Sequence, residues 1–394
     1  MEDRLLKKTL LSWAIWTGKK EIIQEAIKIE DNGQLLRGFD KGKIKEILSK
    51  IAASLYLPVS EDFKGELFDT VTPWVDSLYR SLSDISGIKP LTFWPGDAPY
   101  TLLVTHDIDR ITRTYQKGLG LILRRKIFDG LNTIVKDYLS SRGEGINPFF
   151  NFYKIKKMEE GWGIRSAFYI LREKKRWEYL LKMEPQHIFG LYDPAYIADI
   201  MERLGTDGFE IGLHGSLDIP DNQDALSYEL EYLHTIFDRD IININGIRMH
   251  YLRFSKGLPE ILLKKGFVYD STMGFNFSNG FRCGTSFPFV LVGGENINDM
   301  DFLLELPFQV MDTALSSQSS DVSQWFKITN KIYQEVKRSG GVLIINWHQR
   351  FCNRDEFPDY YNLFTGLIEN AISDGAWITT PVKCAKWWGE QRIR

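Results

Sequence analysis

An α/β fold closed into a (β/α) barrel is predicted by two features of the sequence. From about residue 99 onward, short runs of Val, Ile, Leu and Phe alternate with longer stretches whose apolar residues recur every three or four positions. Those are the patterns of buried strands and of amphipathic helices. Roughly seven such units follow one another, which implies parallel strands joined by helical crossovers and favours a closed barrel over an open sheet. The second feature is where the polar residues fall. Asp107 and Asp109, His214, Arg248 and His250, Asp270, Asp312 and His348 all stand at the C-terminal ends of predicted strands. Barrels and open α/β sheets place their sites there.

The elements follow in order. Residues 4–16, 21–29, 44–53 and 67–82 read as helices, and no cluster of chemistry-bearing residues occurs among them. Residues 1–95 are therefore expected to form a small N-terminal helical region. The stretch 88–97, with Pro90, Pro95 and Gly96, marks the boundary of a second unit spanning 96–394. Its first strand, 101–105, runs into His106-Asp107-Ile108-Asp109. Residues 110–145 are expected to form an amphipathic helical insertion with a basic patch at Arg124, Arg125 and Lys126, either a solvated face or a contact for an anionic or lipid-linked substrate. Strands are then expected at 166–171, 209–213, 246–251, 267–269, 303–306, 341–347 and 376–379. Helices are expected at 152–160, 193–204, 226–237, 259–265, 322–338 and 360–374.

Bulk properties exclude several classes of function. With 394 residues, 43% hydrophobic and 26% charged, the composition is that of a soluble globular protein, and a net charge of −3 gives no reason to expect nucleic-acid binding. Cys283, Cys352 and Cys384 are odd in number and far apart, against a disulfide scaffold and in favour of a reducing compartment. Residues 10–16 form one short apolar patch between lysine pairs, read as part of an amphipathic helix and not as a signal peptide. No stretch approaches the roughly 20 apolar residues of a membrane span. A cytoplasmic protein is expected, with peripheral membrane contact as an option.

Chemistry concentrates at Asp107 and Asp109. Side chains alternate along a strand, so these two carboxylates share a face while His106 and Ile108 take the other. Two carboxylates on one face at the end of a buried strand repel each other, and a divalent cation is the commonest remedy. The bland alternative is that they cap a following helix. Glycines flanking His214 would let backbone approach a ligand. Arg248 is expected to pair with Asp107, or with Asp270 or Glu305 as a structural bridge. Arg253 and Arg282 are candidates for a carboxylate or phosphate on a substrate, with Asp270 as a further substrate contact. Residues 274–284, a glycine-punctuated loop, are expected at the substrate, whereas most of the aromatic residues are expected in the core.

The block from about Trp94 to the C-terminus resembles the polysaccharide deacetylases, metal-dependent sugar N-deacetylases sharing the NodB homology domain. Thr105–Asp109 (THDID) resembles the first motif of that family, Gly212–Ser216 (GLHGS) the second, Arg248–Tyr251 the third, and Asn346-Trp347-His348 the last. A less-described branch is closer still, with Arg-x-His-Tyr-Leu-Arg at Arg248–Arg253, Tyr-Asp-Ser-Thr at Tyr269–Thr272 and Gly-Phe-Arg-x-Gly at Gly280–Gly284. Members of that branch are often linked with surface-polysaccharide biosynthesis. The resemblance implies an irregular seven-stranded (β/α) barrel. It also implies Asp107 as catalytic base, Asp109 and His214 as metal ligands, Arg248 as the brace of Asp107, and His348 as proton donor to the leaving amine.

Two departures stand out. The second motif ordinarily has another His four residues after the first, where this chain has Asp218, and His250 stands where the third motif ordinarily has Pro. His250 is expected to replace the lost ligand, with Asp218 and His106 as competitors. Two His and one carboxylate suit Zn2+ and leave a position open. The implied reaction is hydrolysis of the acetamide of an N-acetylated sugar, the carbohydrate being the partner. The rival readings are a metal-dependent amidohydrolase on a cyclic amide or ureide and a catalytically inactive carbohydrate-binding homologue.

Overall fold

The structure is a computed structural model, and it describes residues 12–13, 15–18, 70–112, 126–129, 131–132, 135, 147, 149–173, 192–293 and 302–393. The helices expected at 21–29 and 44–53, and most of those expected at 4–16 and 110–145, lie outside the described residues.

Among the described residues, ten strands form one sheet: β1 Thr101–Ile108, β2 Ala167–Leu171, β3 Glu210–Gly215, β4 Gly246–Met249, β5 Tyr269–Asp270, β6 Phe289–Gly293, β7 Phe302–Glu305, β8 Val310–Met311, β9 Val342–Asn346 and β10 Trp377–Thr379. Their order is β6-β7-β5-β4-β3-β2-β1-β9-β8, with β10 beside the start of β1. Every pairing is parallel except β6 with β7. β10 pairs with Thr101–Leu103 and β2 with Thr105–Ile108, so these two short strands share one edge of β1 while β9 holds the other.

The sheet curls. Only residues 306–309 carry the chain from β7, near one end of the strand order, to β8 at the other. Leu306 N donates to Asp270 O of β5 at 2.8 Å, and Gln309 Oε1 accepts from Ile344 N of β9 at 2.8 Å. This link spans the seam of a half-barrel, the expected irregular (β/α) barrel, in which β6 alone among the described strands runs antiparallel to its neighbour. The antiparallel pair β6/β7 was not legible from periodicity, because β6 (FVLVG) is half-buried throughout and shows no alternation.

Alternation along β1 divides the core. Leu102, Val104 and Ile108 join the cluster between sheet and helices, whereas Leu103 points inward to Ala167, Tyr169, Tyr269, Leu304 and Ile344. A β-carbon on Gly246 would lie 1.9 Å from the Tyr269 ring, and one on Gly212 2.6 Å from the Tyr169 ring. Glycine is thus required where two large phenols fill a narrow barrel. The N-terminal ends of the strands are closed by aromatic residues: Trp94 Nε1 donates to Gly340 O at 2.6 Å, just before β9, and Trp94 lies 5.6 Å from Trp388. Trp13, Trp16 and the inner face of helix Trp74–Ser86 (Val75, Leu78, Leu82) join that cluster. The helix starts after Pro73 and ends at Gly87, where φ is +69°, so proline and glycine punctuate it as their backbone preferences dictate.

Candidate metal centre and active site

At the other end of the strands lies a cleft of about 220 Å3 lined by Asp107, Asp109, Arg110, Glu173, His214, His250, Tyr251, Asn276, Phe277, His348 and Arg350, among others. Strand geometry delivers these side chains. Asp107 ends the inward row Leu103-Thr105-Asp107 of β1, and His214 sits in register with Arg248 across β3 and β4. His250 was expected on a strand, but β4 stops at Met249 and His250–Leu252 form a single tight turn. Tyr251 and Leu252 there have φ of +54° and +52°, a conformation that disfavours side chains with a β-carbon and is tolerated where a site over-determines it.

Three lone pairs converge beneath the cleft. Asp109 Oδ1 is 3.3 Å from His214 Nε2 and 3.8 Å from His250 Nε2. One ligand atom from each of the three residues lies within 4.8 Å of the others. The far nitrogen of each imidazole is already committed: His214 Nδ1 lies 2.9 Å from Arg248 O, and His250 Nδ1 lies 3.1 Å from Glu173 Oε2. Donation of Nδ1–H to those acceptors fixes the tautomer and leaves both Nε2 lone pairs facing Asp109. Asp109 Oδ1 itself is buried without a hydrogen-bond partner. An orphaned carboxylate oxygen opposite two imidazole lone pairs fits a divalent cation, and the set of two His and one carboxylate suits zinc.

Asp107 lies beside this triad without joining it. Oδ1 accepts from Arg248 Nη1 at 2.9 Å, Oδ2 accepts from Asn346 Nδ2 at 2.7 Å, and His214 Nε2 is 4.0 Å away. Burial alone would raise its pKa, but Arg248, His214 and His348 outweigh that and hold it below the usual carboxylate range. Arg248 is fully buried, donates also to Thr105 Oγ1, Ser271 O and Ser271 Oγ at 2.9 Å each, and lies between the rings of Tyr169 and Phe308. Of the partners weighed from the sequence, Asp107 is the one it bonds.

His348 Nε2 is 3.1 Å from Asp109 Oδ2, and its Nδ1 is 2.8 Å from Asp312 Oδ1. Burial would lower its pKa, but the charges of Asp312 and Asp109 prevail over burial and Arg350 and raise it to about 9.

The other candidates lie elsewhere. His106 points to the helix side, 3.0 Å from Glu159 of helix Phe152–Gly161. Asp218 lines a separate small cavity with Ser216, Asn222 and Glu229. Arg253 donates to Leu217 O and Arg282 to Gly274 O, and neither lines the cleft. Asp270 is buried behind Arg248, next to Glu305 across β5 and β7, and burial pushes both carboxyls up. The glycines beside His214 make room for Tyr169 and for Met249, not for a ligand. Within the loop 274–284, Asn276 and Phe277 do reach the cleft.

Glu173, Asn346, Arg110 and Arg350 are site residues that the sequence reading missed, whereas Asp312 is among the strand-end residues it names, without a role. Glu173 follows the end of β2 by two residues, and Asp312 follows the end of β8 directly. Asn346 lies two residues before His348. The strand-end rule applied to β2 as well would have found Glu173.

No family model and no curated protein sequence matches this chain. Solved structures do. A protein described as a probable polysaccharide deacetylase from Pseudomonas aeruginosa PAO1 superposes with a TM-score of 0.51 at 15% identity, covering 78% of this chain and 97% of its own. The PuuE allantoinase superposes with a TM-score of 0.51 at 15% identity, covering 77% of this chain and 95% of its own. At that identity the likeness is one of fold, and the fold of this chain is that of the NodB-like polysaccharide deacetylases.

Proposed function

We propose that this protein is a divalent-metal-dependent hydrolase that removes the acetyl group of an N-acetylated sugar, acting in surface-polysaccharide biosynthesis. The observation that carries the reading is the convergence of Asp109 Oδ1, His214 Nε2 and His250 Nε2 beside a separate carboxylate, Asp107, held by Arg248. Asp109, His214 and His250 would hold the cation, with Zn2+ best matched to the donors. A cation there supplies Lewis acidity to an acetamide carbonyl and to an attacking water.

The remaining work falls to the chain. Asp107, kept ionised by Arg248 and oriented by Asn346, takes a proton from the water as general base. His348, its ring fixed by Asp312, gives a proton to the departing amine, which is otherwise too basic to leave. Phe277, about half exposed at the cleft, offers a face for a sugar ring. Residues 1–95 and 96–394 are proposed as a helical region and a catalytic unit. The three cysteines are free and buried, which suits the cytoplasm. Among the described residues, no helix is long and apolar enough to cross a membrane.

The allantoinase shares the fold with the same TM-score, which makes a cyclic amide or ureide the second reading. The deciding experiment incubates zinc-loaded protein with N-acetylated sugars and with allantoin, measuring acetate and ring-opened product. Acetate abolished by chelation and restored by zinc supports the first reading. Ring opening alone supports the second, and neither product with full metal occupancy leaves a binding protein.

A further inference from the structure

Two arginines at the cleft are unexplained by the reaction. Arg110 follows β1 by two residues and Arg350 follows β9 by four, and because those strands are paired, the two loops emerge side by side. Gln349 ties them together by donating through Nε2 to Arg110 O. Both side chains line the cleft, and both are partly buried. Their guanidinium groups repel each other, with Asp109 the nearby acid.

Asp109 is a poor counter-ion for them. Arg350 Nη1 is 3.5 Å from Asp109 Oδ2, a long contact, and Asp109 already faces His214, His250 and His348. Among the described residues, the two other carboxylates lining the cleft are also engaged, Asp107 by Arg248 and Glu173 by His250. With a cation on Asp109, two like-charged forks face one small cleft whose acids, among the described residues, are all committed. Placing like charges together away from bulk water costs free energy, and a bound anion offsets it.

We infer that Arg110 and Arg350 form an anion subsite, so that the substrate carries a carboxylate or phosphate within a few ångströms of its acetamide. A guanidinium fork matches the planar pair of oxygens that either group presents. The inference deepens the deacetylase reading and rests on it for the acetamide, but not for the negative charge. It also relocates the anion contact that the sequence suggested for Arg253 and Arg282, whose guanidinium groups turn to backbone carbonyls away from the cleft.

The test is calorimetric and does not require turnover. Zinc-loaded protein is titrated with N-acetylglucosamine, N-acetylglucosamine 1-phosphate, UDP-N-acetylglucosamine and N-acetylmuramic acid. At least one charged ligand is expected to bind about tenfold or more tightly than the neutral sugar. That preference should shrink as salt rises from about 0.05 to about 0.5 M. Which charged ligand gains tells phosphate from carboxylate. Arg110→Gln and Arg350→Gln should each reduce the preference by about tenfold, and Arg350→Lys should retain part of it. Equal affinity for charged and neutral ligands, or no binding of either, overturns the inference. So does a preference that survives in both Gln variants, since the cation alone would then be meeting the charge. Acetate release, scored separately, reports on the deacetylase reading whichever way the titrations fall.

Discussion

His348 Nδ1 lies 2.8 Å from Asp312 Oδ1, and the same carboxylate accepts the backbone N–H of His348 through Oδ2. Asp312 opens helix Asp312–Gln318 directly after β8, whose pairing with β9 puts it under the histidine. The ring is thereby fixed with Nε2 aimed at the cleft. Asp312→Asn keeps the shape and removes the charge, so kcat should fall by about a hundredfold while KM changes by less than about threefold. Steady-state kinetics on whichever N-acetylated sugar proves active provides the check, and an unchanged kcat would remove His348 from the proposed mechanism.

Arg248 invites a stability test as well as a kinetic one. Its guanidinium is fully buried and neutralises Asp107, with the carboxyls of Asp270 and Glu305 also within its electrostatic reach. Arg248→Met would strand a buried carboxylate, a change that typically costs about 3–5 kcal/mol. Arg248→Lys keeps the charge but cannot span Asp107, Thr105 and Ser271 together, and should cost less. Activity should drop by at least about a hundredfold in either variant. Urea unfolding read beside an Asp107→Asn, Arg248→Met double variant separates the roles. If the double variant is no more stable than Arg248→Met, the buried charge of Asp107 is not what the arginine compensates.

The proposed metal ligands can be ranked by affinity. Zinc competition against a chromogenic chelator should show binding lost in Asp109→Ala and His214→Ala and strongly weakened in His250→Ala. Glu173→Gln, which leaves His250 in place but removes the carboxylate that orients it, should weaken binding by about 10- to 100-fold. Asp218→Ala should bind zinc as the parent does, because Asp218 faces a different cavity. Retained affinity in His250→Ala together with loss in Asp218→Ala would reverse the assignment of the third ligand.

How much of this could be read from the chain depends on the range over which each feature is set. Asp107 and Asp109 were legible because a two-residue period and an adjacent apolar run are local. The alternation that sends Leu103, Thr105 and Asp107 inward sends His106 to Glu159. The barrel was legible because each strand and its crossover helix are local too. By contrast, the partner of Arg248, the turn that carries His250 and the burial of Asp270 depend on how strands far apart in sequence line up. Arg253 and Arg282 looked like cleft residues because they flank motif residues in sequence. Their loops fold back onto carbonyls of Leu217 and Gly274, a contact no short-range pattern encodes. Arg110 and Arg350 were missed for the converse reason, since only the β1–β9 pairing brings them together.

Glu229 provides a prediction independent of catalysis. It sits on helix Gln223–Ile236, almost fully buried, with Oε2 accepting the Ser216 backbone N–H at 3.3 Å. Burial outweighs the Ser216 hydrogen bonds and, with Glu173 and Asp218 nearby, raises its pKa from 4.5 to about 8. A carboxyl whose pKa is higher folded than unfolded binds more protons in the folded state between those two values. Its stabilising contribution is therefore complete below about pH 4.5 and drains away as pH rises through about 8, at up to roughly 1.4 kcal/mol per pH unit. Glu229→Gln keeps an acceptor for Ser216 and has no proton to lose. The variant should gain on the parent as pH rises, overtaking it by the upper end of that window and becoming the more stable protein at about pH 8.5. Urea unfolding of both proteins at several pH values between about 5.5 and 8.5 measures the difference directly; Asp76 and Glu210, two further carboxyls that burial pushes up to about 6 and about 7, cancel because both proteins carry them. Parallel stability curves would mean that Glu229 stays ionised in the folded protein.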